Sequence, residues 1–99
     1  MACSKKIDSE KAVERKLVEG VRELGGMAIK MLTDQFSGLP DRLVLLPSGR
    51  VLFVELKTTG QKPRKLQVSV HNALRAIGFR VEVVDTIEGV KKLLKEFDL

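Results

Sequence analysis

Apolar residues fall first at helical spacing and then in short runs. Val13, Leu17, Val21 and Leu24 recur every three or four positions behind Ser9, a side chain suited to an N-cap, and Gly25-Gly26 ends the stretch. This predicts a helix over about 9–24. A strand is expected at about 27–32, followed by a loop rich in turn formers over 33–40. Two short apolar runs, 43–46 and 51–56, flank Pro47-Ser48-Gly49 and read as a hairpin. A second helix is expected to open with Pro63 in its first turn, to carry Leu66, Val70, Ala73, Leu74 and Ile77 on its inward face, and to end at Gly78. A strand over 79–84 follows. Thr86 then caps a last helix that turns Ile87, Val90, Leu93, Leu94 and Phe97 inward, with Glu88 near the third helical position.

The predicted order is α-β-β-β-α-β-α. The hairpin strands are apolar at nearly every position, which predicts a sheet covered on both faces. The strand–helix–strand connection from 51–56 to 80–84 predicts parallel pairing through a right-handed crossover. The expected fold is α/β, a mixed four-stranded sheet flanked by helices. There is no repeat, low-complexity tract or Pro/Ser linker, so residues 9–99 read as a single domain behind a flexible tail over 1–8. A chain of 99 residues supports one modest core. No apolar run approaches the roughly 18 residues that span a bilayer, and Lys5-Lys6 has no apolar segment behind it, so neither a membrane span nor a secretory signal is expected. Cys3 is the one cysteine. It has no thiol partner for a disulfide or a metal site, which fits a reducing cytoplasm.

The formal charge of +5 changes the picture further. A basic excess serves either as a solvated surface or as a counter-surface for phosphates. With no Trp, no Tyr and four Phe, there is little material for stacking single-stranded bases. Contact with a sugar-phosphate backbone is the more economical expectation.

The hairpin turn allows a finer argument. A three-residue loop, with Pro47 opening a type I turn and Gly49 in the left-handed position, pairs Leu46 with Arg50. Counting outward, Leu45 faces Val51, Leu43 faces Phe53, and Asp41 faces Glu55, with Lys57 two residues on and on the same face. A four-residue loop would turn Asp41 to the other face. Two adjacent carboxylates repel and need a compensating charge. Mg²⁺ supplies one, because it takes one or two carboxylates together with waters and substrate phosphate. Lys57 beside it is placed to hold a scissile phosphate or to stabilise charge developing in the transition state. The alternative is an ordinary ion-pair cluster in which Lys57 neutralises the two acids.

Ser37-Gly38-Leu39-Pro40-Asp41-Arg42, followed by Val54-Glu55-Leu56-Lys57 with its Glu fourteen residues after the Asp, resembles the PD…(D/E)xK signature of the restriction-endonuclease-like nucleases. The Gly-x-Pro-Asp-Arg form, the Phe53-to-Lys57 strand and Gln67 are similar to the VRR-NUC (virus-type replication-repair nuclease) branch, over a stretch from about Val13 to the C-terminus. The resemblance implies a restriction-endonuclease-like core and a Mg²⁺- or Mn²⁺-dependent deoxyribonuclease. Asp41, Glu55 and the backbone carbonyl of Leu56 would be metal ligands, Lys57 would position or activate the attacking water, and Gln67 would orient the site. It maps the family's helical Glu onto Glu14, as a direct or water-mediated ligand. Helical spacing alone does not choose Glu14 over Glu10, Glu19 or Glu23. The resemblance further implies an endonuclease on structured DNA, four-way junctions above all, acting as a homodimer. An exonuclease or flap nuclease of the same fold, or a non-catalytic DNA-binding module, are the alternatives.

Other candidates have simpler explanations beside them. Lys62, Arg64 and Lys65 cluster at a helix N-terminus, where the helix dipole disfavours cations, so a role on the DNA backbone is the more attractive one. Lys91, Lys92 and Lys95 sit where the dipole already accounts for them. His71, the single histidine, lies one turn beyond Gln67 and is not required by the expected chemistry.

Overall fold

A computed structural model of the chain describes residues 6–32 and 36–98. Helix α1 (Glu10–Glu23) starts where Ser9 Oγ accepts from Ala12 N, and it ends at Leu24 ahead of Gly25 with φ +85°. Gly26 leaves room for the next strand: a Cβ there would run into the Leu45 carbonyl oxygen. Strands β1 (Met27–Lys30), β2 (Arg42–Leu46), β3 (Arg50–Leu56) and β4 (Arg80–Val84) form one sheet in the order β1-β2-β3-β4. The first three are antiparallel and β3 runs parallel to β4, with α2 (Lys65–Ala76) in the crossover and α3 (Ile87–Lys95) after β4. The expected element order and the restriction-endonuclease-like arrangement of a mixed sheet between helices are both present.

The core lies on one face. Val44, Leu46, Leu52, Val54, Leu56 and Val84 of the sheet pack on Val13, Leu17 and Val21 of α1 and on Val90, Leu93 and Leu94 of α3. Thr86 Oγ1 caps α3 by accepting from Gly89 N at 2.8 Å. The Asp8 carboxylate adds a second cap, accepting from Ile87 N at 2.8 Å. Residues 1–5 of the expected tail lie outside the described residues. Its last residue, Asp8, is buried, its N–H donating to Thr59 Oγ1 and its carbonyl accepting from Thr59 N, so packing on the body begins before Ser9.

Three expectations need correction. The opposite sheet face is only partly covered, because α2 packs over β4 while Met27, Val51 and Val83 stay exposed. Pro63 precedes the N-cap of α2, Arg64, rather than standing in the first turn. The inward face of α2 is only partly the predicted apolar stripe: Val70 and Leu74 are half-buried beside the buried Gln67 and His71, whereas Leu66 and Ile77 are 55% and 72% exposed. Glu55 sits under this helix on the sheet, and a buried carboxylate requires polar groups facing it.

The hairpin keeps the expected register, Leu46↔Arg50, Leu45↔Val51 and Leu43↔Phe53. Its turn differs from a type I turn in that Ser48 (φ +68°) joins Gly49 (φ +73°) in the left-handed region.

Candidate active site

The register decides which face the acids occupy. Glu55 alternates with Val54 and Leu56, which enter the core, so its side chain emerges beneath α2. It is 1% exposed. The paired ladder closes at Arg42↔Val54, one position before Asp41. Asp41 is nevertheless fixed from both ends, its carbonyl accepting from Met31 N and its Oδ2 accepting from Leu56 N, each at 2.8 Å. The loop leading into Asp41 is pressed on α2 at Gly38. That residue holds φ +89°, and a Cβ there would meet Val70 Cγ2 at 2.8 Å and Leu66 O at 3.1 Å. Only glycine meets both demands without displacing loop or helix.

Gln67 organises the rest. Its Nε2 donates to Glu55 Oε2 at 2.8 Å, while its Oε1 accepts from Lys57 Nζ at 3.1 Å and from Arg64 N at 2.9 Å. One amide thus caps the first turn of α2, holds Lys57 and holds Glu55. Lys57 Nζ is itself 3.2 Å from Glu55 Oε2. All this falls on one oxygen of Glu55. The other, Oε1, is buried without a hydrogen-bond partner, as is His71 Nε2, 3.8 Å away.

Burial pushes the Glu55 carboxyl above its usual range and the charge of Asp41 pushes it further, with Lys57 acting in the opposite direction. His71 is held below the usual histidine range, first by burial and then by the charges of Arg75 and Lys57. A buried carboxylate repelled by a second one, with a free oxygen, is a site short of positive charge. That donor set fits a hard divalent cation. Among the described residues no three His, Cys, Asp or Glu side chains converge as a metal-holding group, so two carboxylates would leave the remaining positions to backbone, water or phosphate oxygens, as Mg²⁺ prefers.

The structure brings Asp41, Glu55, Lys57 and Gln67 into one cluster, and Glu14 has another partner. Its Oε2 accepts from Arg42 Nε at 3.2 Å and Nη2 at 3.0 Å, while Arg42 Nη1 donates to Ala28 O. Arg42 pairs with Val54 across the sheet, on the α1 side, so this ion pair braces α1 against β2 rather than joining the cluster under α2. Arg64 and Gln67 line an open groove of about 360 Å³ with Ser37, Gly38 and Leu66, directly beside the cluster. Sequence reasoning set His71 aside; its signal was the one-turn spacing from Gln67, which puts both on one face of α2.

No protein-family profile matches the chain. It is 44% identical over 77 residues to p44 of Acyrthosiphon pisum secondary endosymbiont phage 1, a protein whose name proposes a nuclease, covering 78% of this chain and 83% of that protein. A solved structure described as a VRR_NUC domain superposes with a TM-score of 0.82 at 34% identity, over 91% of this chain and 99% of its own.

Proposed function

The chain belongs to the VRR-NUC nuclease family, and from that premise we propose that it is a Mg²⁺- or Mn²⁺-dependent DNA endonuclease that cuts branched duplexes, four-way junctions foremost, as a homodimer. The observation that carries this reading is the Asp41–Glu55–Lys57 cluster, with a buried carboxylate oxygen left without a partner. Asp41, Glu55 and the Leu56 carbonyl would hold the cation, and Glu14 is left to Arg42. When bound, the cation would polarise the scissile phosphate and lower the pKa of a water. Gln67 keeps the Lys57 ammonium within reach of the Glu55 carboxylate, where it is placed to donate to a phosphate oxygen or to orient the attacking water.

Lys62, Arg64 and Lys65 would take the DNA backbone. Helix α2 has no acidic residue in its first turn, Arg64 makes no side-chain cap, and the groove beside it leads to Gln67. These cations oppose the helix dipole, which a bound phosphate would reverse into a favourable arrangement. The homodimer is supported by the uncovered sheet face, where Met27, Val51 and Val83 are exposed and Phe79 stacks edge-on to Phe53 at 5.8 Å. A two-fold axis there would present two centres to symmetric strands. No described helix is long and apolar enough to cross a membrane.

The test is a cleavage panel with Mg²⁺ or Mn²⁺ on linear, nicked, flapped and four-way DNA. Preferential, symmetric nicking of the four-way substrate is expected. Resection from ends or cutting of flaps alone would replace the junction assignment with an exonuclease or a flap nuclease. Binding without cleavage on every substrate would replace it with a DNA-binding module.

A further inference from the structure

We propose that His71 is a positioning residue for Glu55: its imidazole donates Nε2–H to the carboxylate oxygen that Gln67 leaves free. This rests on the reading of Glu55 as a metal ligand and adds the group that holds it from behind.

The geometry is that of two side chains one helical turn apart serving the two oxygens of one carboxylate. Gln67 and His71 are the buried residues of α2, and both face Glu55. Gln67 reaches Oε2 at 2.8 Å. His71 Nε2 stands 3.8 Å from Oε1, and neither atom has a hydrogen-bond partner. That separation is about 1 Å too long for a hydrogen bond. Closing it satisfies two buried polar atoms at once, which no other group within the described structure does for either.

The tautomer follows from the same facts. A neutral imidazole carries one N–H, and the proton on Nδ1 would leave the Nε2 lone pair pointing at an anionic oxygen. The proton on Nε2 turns that repulsion into a charge-assisted bond. A carboxylate oxygen has two lone pairs, so a bond from His71 still leaves Oε1 a site for a cation. A side chain that merely filled space under α2 would be served by Leu and would leave no polar atom facing Glu55. Groups that fix a ligand from behind change metal affinity or activity by roughly 10- to 100-fold when removed.

Two measurements test this. Because His71 is the single histidine, the imidazole ¹⁵N signals of wild-type, metal-free protein at neutral pH belong to it alone. Nε2 is expected to carry a proton, and a bare Nε2 with the proton on Nδ1 overturns the proposal without need of any variant. Mn²⁺ titration calorimetry is then run on wild type, His71→Leu and His71→Gln, with thermal melts alongside. His71→Leu is expected to bind Mn²⁺ at least about tenfold more weakly, and His71→Gln, whose amide can replace the Nε2 donor, to recover most of the loss. A folded His71→Leu that binds within twofold of wild type overturns the role of His71 alone. Wild-type protein that binds no Mn²⁺ overturns the metal-centre reading and this role with it.

Discussion

Gln67 carries more of the site than its chemistry suggests, because its amide oxygen and nitrogen each have an assigned partner. The oxygen is shared by Lys57 and the backbone N–H of Arg64, the N-cap of α2, and the nitrogen is committed to Glu55. Gln67→Leu keeps volume and removes all three bonds. A loss of turnover of about 10- to 100-fold is expected, with the apparent metal requirement rising in step, measured as initial rates across a Mg²⁺ series. Glu55 supplies a prediction of opposite sign for stability. Its carboxyl is raised from the ordinary 4.5 by burial and by Asp41. Between that ordinary value and the raised one, the folded protein keeps a proton that the unfolded chain has released. Stability therefore falls as pH rises through this window, and above it the cost is constant. In chelator at neutral pH, Glu55→Gln is expected to melt a few degrees above wild type, since about 1 kcal/mol moves the midpoint of such a domain by about 4–8 °C. Added Mg²⁺ should raise the wild-type midpoint and leave that of the variant in place, as differential scanning calorimetry would record.

Among the elements, the hairpin and α2 show what the pattern of residues does and does not disclose. Register was legible on the reading of Pro47-Ser48-Gly49 as a three-residue loop, and the pairing puts Glu55 and Asp41 at the same end. The face of α2 was legible only in part, for Val70 and Leu74 and not for Leu66, Ala73 and Ile77. Leu66, Val70, Ala73, Leu74 and Ile77 do recur at helical spacing, but which stripe turns inward depends on what lies beneath, and beneath it is a carboxylate from a strand. Nor could the partner of Glu14 be read, because Arg42 is 28 positions away and meets it only when α1 packs on β2. The consequence is measurable by denaturant unfolding. Ile77→Ser is expected to change stability by no more than about 0.5 kcal/mol, as for an exposed site, whereas Leu17→Ala in the core should cost about 2–5 kcal/mol. Gly38→Ala belongs to this scale too. The added methyl meets Val70 and Leu66, so the Asp41 loop and α2 must part, and cleavage should fall more steeply than the melting temperature.

For the whole molecule, one sheet face is closed by α1 and α3 and the other combines the candidate centre with exposed apolar surface. A net charge of +5 gives DNA an attractive surface whose hold weakens with salt. Replacing Lys62, Arg64 and Lys65 together by Ala is expected to weaken DNA binding and to flatten its salt dependence, the slope falling by up to about three phosphate contacts' worth in a filter-binding or anisotropy series. Sedimentation of the wild type should show a dimer at micromolar concentration, and Val51→Glu should shift it to monomer with the fold retained.

The expectations for turnover and metal binding depend on Asp41, Glu55 and Lys57 forming a metal-dependent hydrolytic centre. The most direct test is nicking of a four-way DNA substrate by wild type, Asp41→Asn, Glu55→Gln and Lys57→Ala, with Mg²⁺ and again with chelator. Cleavage by wild type with Mg²⁺ alone, and a loss of at least about a thousandfold in each folded variant, is the predicted result. Wild-type rates from any one of the three variants, or undiminished cleavage in chelator, would contradict it.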